Sequence, residues 1–154
     1  MKPKTISSTR SSISSVMLPA QANPAGNVHG GEIMKMMDVA ASVTAIKHAK
    51  CNVVTLRVDE LIFHHPIYVG QLVTCESEMV YVGSTSMEIK VTVKVENMDS
   101  DDEPMIAQTA YFTFVALDKD GKSTKVPQLI LETEEERVNF EMGKERKKQY
   151  KQRG

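Results

Sequence analysis

Asn23-Pro24-Ala25-Gly26-Asn27-Val28-His29-Gly30-Gly31 runs into Glu32-Ile33-Met34-Lys35-Met36-Met37-Asp38-Val39-Ala40-Ala41-Ser42-Val43-Thr44-Ala45-Ile46-Lys47-His48-Ala49, and the reading of this stretch decides the fold. Asn-Pro, Gly-Asn and Gly-Gly pairs mark an irregular loop from Pro19 to Gly31. From Glu32 to about Ala49 neither Gly nor Pro interrupts the chain, so a helix is predicted there. At 1.5 Å per residue it would be about 27 Å long, enough to span a sheet. Ile33, Met36, Met37, Ala40, Val43 and Ala45 spread apolar character around most of its circumference. A narrow polar side is left to Glu32, Lys35, Asp38 and Ser42, which predicts a largely buried helix.

On the N-terminal side, the Ser-rich segment Ser11 to Leu18 reads as a short edge strand or a frayed lead-in. On the C-terminal side the period changes from helical to alternating after Cys51. Val54, Leu56, Val58 and Ile62 fall on one face of a first long strand that stops at Pro66 to Gly70. Residues 71–82 form a second strand. In a third, Met87, Ile89, Val91, Val93 and Val95 alternate with Glu88, Lys90, Thr92, Lys94 and Glu96. A fourth, Met105 to Leu117, closes at Asp118-Lys119-Asp120-Gly121. Short connections predict antiparallel neighbours in sequence order. The expected class is α+β, a long central helix packed on an antiparallel sheet, with one domain over residues 1–130. Residues 131–154 start acidic and end basic, which predicts a charged, solvated C-terminal helix whose basic end is a second candidate contact for a phosphorylated ligand or RNA.

The composition excludes several classes. The chain has 154 residues, 19 Lys+Arg against 20 Asp+Glu, and two cysteines. That length supports one core without disulfides or a structural metal. Near-neutral charge gives no global drive toward nucleic acid or anionic membrane. Cys51 and Cys75 lack metal-ligand spacing and read as reduced small hydrophobes, and no metal is expected. No run of 18 apolar residues exists, so membrane insertion is not expected. A cytoplasmic location follows, although residues 1–31, serine-rich and without acids, loosely imitate a transit peptide.

The ordered motifs sharpen the reading. Ala22 to Gly31 with Ile33-Met34-Lys35-Met36-Met37-Asp38 is followed by Phe63-His64-His65-Pro66-Ile67, then Val82-Gly83-Ser84-Thr85-Ser86-Met87-Glu88-Ile89, then Phe112-Thr113-Phe114-Val115-Ala116-Leu117-Asp118. The set resembles the hotdog-fold acyl-CoA thioesterases, specifically the cytosolic and brain acyl-CoA hydrolase group, over about residues 12 to 130. The resemblance implies hydrolysis of acyl-CoA to a free acid and CoA without a cofactor other than the CoA of the substrate. It also implies self-association as a dimer, and further as a trimer of dimers.

The residues suit that chemistry. A thiol leaving group has a pKa of about 8.5, so it departs as thiolate and no Ser-His-Asp triad is needed. Gly30 and Gly31 open the helix, where unpaired N–H groups face a developing oxyanion. Spacing alone allows Asp38 to be an ion-pair partner of Lys35. The resemblance instead makes Asp38 the catalytic carboxylate, as general base or nucleophile, and makes Asn23 the asparagine that acts across a subunit interface. Turn formation before Pro24 is the other reading of Asn23. CoA is expected along Gly83-Ser84-Thr85-Ser86, with His29 nearby and Arg57, Lys122 and Lys125 as cations for the phosphates. His64 and His65 read as packing or hydrogen-bonding groups, and Met34, Met36 and Met37 as core or acyl-tunnel lining. The alternatives are a non-catalytic acyl-CoA sensor, which needs no Asp38, and a hotdog hydratase or dehydratase.

Overall fold

The computed structural model describes residues 1–153 of the chain. Gly154, the last residue of the expected tail, lies outside them. The elements are β1 (Lys4–Thr5), β2 (Ser11–Val16), α1 (Gly30–Ala49), β3 (Asn52–Phe63), β4 (Leu72–Val82), β5 (Ser86–Glu96), β6 (Met105–Leu117), β7 (Leu129–Ile130) and α2 (Glu134–Arg153). Five strands make one antiparallel sheet in the order β2-β4-β5-β6-β3. The simple meander expected from sequence is therefore wrong at one point: β3 pairs with β6, not with β4, and the chain crosses from one edge of the sheet to the far side between them. Both β2 and β3 are edges.

Helix α1 lies across the sheet and touches all five of its strands, which is the hotdog arrangement. Its buried stripe is Ile33, Met37, Ala40, Ala41, Thr44, Ala45 and His48, an i, i+3, i+4 pattern on one face. The alanines let the helix approach the sheet closely, against Met87, Ile89, Val91, Val93, Phe112 and Phe114. The opposite face is not buried within the chain, contrary to the expectation of an enclosed helix, since Val39 and Ile46 are exposed. The helix ends at Lys50, whose φ of 58° is left-handed, and Lys4 Nζ donates to the Lys47 and His48 carbonyls at 3.0 and 2.6 Å. Short β1 pairs in parallel with β7, which holds Lys4 at that helix end.

Strand β3 departs most from its sequence pattern. Val54, Leu56 and Ile62, expected on the core face, are exposed, while Val53, Val58 and Leu61 pack against the core. Register shifts between Thr55 and Arg57 and between Asp59 and Ile62, with Glu60 at φ 50°, break the alternation. A bulge places one extra residue in the strand and turns the following side chains to the other face.

Helix α2 is not simply solvated. It packs on the outer face of the sheet, with Phe140 against Tyr81 (ring centroids 4.8 Å apart) and Gly143 where a Cβ would meet Tyr81 and Glu88. Its N-terminus is capped by Thr133, whose Oγ1 accepts from the Glu136 N–H at 3.0 Å. Arg146 reaches under it to Glu88, making contacts of 3.2, 3.0 and 2.7 Å, and lies 3.7 Å from the Tyr111 ring centroid. Burial pushes the Glu88 carboxyl up despite that guanidinium. On the core side, burial pushes the Cys75 thiol up to about 12, so it is an inert packing group at neutral pH.

Candidate active site

The loop before α1 folds around Asn23. Its Oδ1 accepts from the Ala25 and Asn27 N–H groups at 3.0 and 3.1 Å, and Gly26 turns the chain at φ 89°. The turn-forming reading of Asn23 is thus correct, and it does not compete with a functional one. With the carbonyl end fixed by the turn, the amide –NH₂ is held as an oriented donor. The loop returns through a bridge between Asn27 and Tyr68, and His29 N–H donates to Gln21 O at 2.9 Å.

Helix α1 then begins at Gly30, two residues earlier than its sequence pattern implies. His29 offers no side-chain cap, so the Gly30 and Gly31 N–H groups keep the unpaired donor character of a helix start. Nothing lies within 4 Å of a Cβ built on either glycine, so the approach to these amides is open. A cavity of about 510 Å³ sits here, lined by Asn23, His29, Gly30, Ile33, His64, His65 and Gln108 among others. The two histidines enter through backbone bonds to Ala107 O at 2.7 and 3.2 Å.

Asp38 does not line this cavity. It stands about 12 Å further along α1, two turns from Gly30. Its Oδ1 accepts a 2.7 Å hydrogen bond from Thr55 Oγ1 on β3. No salt bridge joins it to Lys35 among the described residues. Thr55 is a residue that the sequence reading missed. Only the pairing of helix with edge strand brings it to the carboxylate.

Gly83-Ser84-Thr85-Ser86 lies at the other end of the sheet. Ser86 pairs with Val115 and Gln108 lies seven residues back along β6, so the loop and the α1 cavity are roughly 23 Å apart in one protomer. The turn closes by Gly83 N–H to Ser86 O at 2.9 Å, and Lys147 Nζ donates to Ser86 Oγ at 3.1 Å. A Cβ at Gly83 would meet the Lys147 ammonium and Ser86 Oγ, so a larger residue there would displace the end of the lysine. A second cavity, about 610 Å³, is lined by Gly83, Ser84, Lys125 and Lys144. Lys144 comes from the basic part of α2, which the sequence offers as a second candidate contact for a phosphorylated ligand. Lys122 is exposed and lies outside that lining. Arg57 is not an available cation: Nε and Nη2 donate to Asp59 at 2.8 and 2.7 Å, its guanidinium lies 3.7 Å from the Tyr150 ring centroid, and Asp59 holds it above its ordinary range.

Known proteins match both the sequence and this arrangement. The Thioesterase superfamily model matches residues 25–100. An acyl-CoA hydrolase from Bacillus cereus superposes with a TM-score of 0.92 at 36% identity, covering 99% of this chain and 92% of that one. The chain belongs to the hotdog-fold acyl-CoA thioesterase family. The uncharacterized acyl-CoA thioester hydrolase YkhA of Bacillus subtilis is 38% identical over 78% of this chain and 69% of its own length. The human cytosolic acyl coenzyme A thioester hydrolase is 40% identical over 97% of this chain, which spans only 40% of that protein's length. A Staphylococcus aureus acyl-CoA hydrolase in complex with butyryl-CoA and CoA superposes at a TM-score of 0.89 and 30% identity, over 98% and 92% of the two chains. Three further structures of that hydrolase carry alanine in place of an aspartate, an asparagine or a threonine.

Proposed function

We propose that this protein hydrolyses acyl-CoA thioesters at a site shared between two copies of the chain. One copy supplies Asn23 and the Gly30 and Gly31 amides, and the other supplies Asp38 with Thr55. The observation that carries this reading is the separation of donors and carboxylate. An oxyanion site and a base about 12 Å apart on one helix cannot act on one carbonyl, whereas two copies packed antiparallel bring one set to the other. Exposed apolar side chains mark where they meet: Val39 and Ile46 on α1, and Val54, Leu56, Ile62 and Phe63 on the β3 edge. The aspartate, asparagine and threonine replaced in the Staphylococcus aureus hydrolase stand at the same mutual intervals as Asp38, Asn23 and Thr55, which supports treating these three as one unit. A trimer of such dimers is in keeping with the hexameric acyl-CoA thioesterase that superposes at a TM-score of 0.92. The name of the human relative supports a cytoplasmic location.

In this reading the thioester carbonyl accepts from the Gly31 amide, Asn23 of the same copy orients water or substrate, and Asp38 faces them from the other copy. Asp38 takes a proton from water as it attacks, or attacks the carbonyl itself to form a mixed anhydride that water then cleaves to acid and free Asp38; in both routes the C–S bond breaks to release thiolate. The Thr55 hydroxyl fixes the rotamer of Asp38. The CoA phosphates are read by Lys125 and Lys144 beside Gly83 and Ser84, and no metal takes part. Thiol release from a panel of acyl-CoAs tests the activity. Asp38→Asn should lower turnover by roughly 10² or more with CoA binding retained. Near-normal turnover would demote Asp38, and CoA binding without hydrolysis in the wild type would favour an acyl-CoA sensor. A single turnover in ¹⁸O water tests the two routes, since an anhydride resolved by attack at the Asp38 carbonyl leaves label in the protein, whereas direct water attack labels only the acid.

A further inference from the structure

We infer that Gln108 is a specificity-determining residue that accepts a hydrogen bond from a hydroxyl on the acyl chain, so that hydroxyacyl thioesters are favoured over their unsubstituted counterparts. This rests on the hydrolase reading above. Gln108 lies on β6 in the row Gln108, Ala110, Phe112, Phe114, Ala116, all buried and all facing α1. Every other member of that row is apolar. Gln108 is only 4% exposed, and its Oε1 has no hydrogen-bond partner. It lines the same cavity as Gly30, Asn23 and Ile33.

A buried carbonyl oxygen without a donor is a cost that folding alone does not explain, because leucine or methionine would fill the same place in the row without it. The helix start and the Asn23 amide offer donors, which suit the thioester oxygen. Gln108 Oε1 is an acceptor, and a hydroxyl, which donates to Oε1 or accepts from Nε2, satisfies the amide in either orientation. Position decides which part of the substrate supplies it. The CoA phosphates are assigned above to Lys125 and Lys144, outside this cavity, so the acyl end is the part of the substrate left to enter it and meet Gln108. An acyl hydroxyl there satisfies Oε1, whereas a bare methylene leaves it unpaired.

The test compares kcat/KM for butanoyl-CoA and 3-hydroxybutanoyl-CoA in the wild type, Gln108→Leu and Gln108→Met. The wild type should prefer the hydroxyacyl thioester by roughly tenfold or more. Both variants should lose that preference by slowing on the hydroxyacyl substrate alone, while their melting temperature stays level or rises as the unpaired acceptor disappears. Equal slowing on both substrates would assign Gln108 to the thioester or pantetheine and overturn the inference. So would a wild type that turns over both equally with no response to substitution, and in that case the hydrolase reading stands. Wild-type protein that cleaves neither thioester removes both.

Discussion

Arg146→Met should separate the contribution of α2 from that of the core. The substitution keeps an apolar stem of similar length on Tyr111 and removes the guanidinium from Glu88. The Glu88 side chain is 4% exposed and that of Arg146 13%, so the carboxylate would be left buried without its cation. Breaking a buried pair from one side costs about 3–5 kcal/mol. At roughly 2–4 °C per kcal/mol for a chain of this length, the melting temperature should fall by about 6–20 °C at pH 8. Burial already pushes the Glu88 carboxyl up, and removing Arg146 pushes it further. A folded-state pKa above the unfolded one means that the penalty is full above the folded value and vanishes as pH falls toward the unfolded value. The deficit of the variant should therefore shrink between pH 8 and pH 5. Glu88→Leu added to Arg146→Met removes both charges and should restore most of the loss. Melting would be followed at fixed protomer concentration, since association shifts the midpoint. A single variant within about 1 kcal/mol of wild type, or a deficit that grows toward pH 5, would refute the account of α2 as held by this pair.

Three further outcomes follow from the site. Thr55→Val keeps the strand-forming shape and removes the donor to Asp38, so kcat should fall roughly tenfold or more with KM little changed; unchanged kcat would make Thr55 a packing residue. Leu56→Lys, at an exposed edge position away from both cavities, should dissociate the assembly in sedimentation and abolish turnover together; a fully active monomer would sink the shared site. Lys125→Ala with Lys144→Ala should raise KM for acyl-CoA and flatten its salt dependence while kcat holds, and an unchanged KM would move the phosphates elsewhere.

What the sequence made legible follows from how local the determining physics is. Strand β5 was readable because its buried face is written in its own period, Met87 to Val95, and helix α1 because an uninterrupted, largely apolar run follows the glycines, although that run did not show which face is buried. Strand β3 was misread because two register shifts invert its alternation, and a shift depends on pairing with β6 that no local pattern records. The placement of Asn23 and the two glycines at a helix start was legible from turn chemistry. Thr55 was not, since it reaches Asp38 only through packing of distant elements, and Lys144 was legible only as one of several basic residues in the tail. Gln108 was hidden differently. Its polarity is visible, but only the register of β6 shows that it points inward.

The two prominent carboxylates show how the fold distributes its electrostatic costs. Glu88 is desolvated within the chain, and Arg146 on α2 offsets part of that penalty, so this pair belongs to the stability of the protomer. Asp38 is only partly buried, with one hydroxyl donor fixing its direction and no cation beside it. A single folded chain therefore never carries the full cost of enclosing it. Under the proposed shared site, that cost arises only when a second copy covers β3 and the outer face of α1, where exposed Val39, Ile46, Leu56 and Phe63 would contribute apolar area to offset it. In that proposal the carboxylate would meet substrate in a low-dielectric setting where its charge acts most strongly, and assembly would be the step that activates it. A protomer kept apart should accordingly fold with its core intact and remain inactive, which makes the Leu56→Lys result a test of this division as well as of the interface.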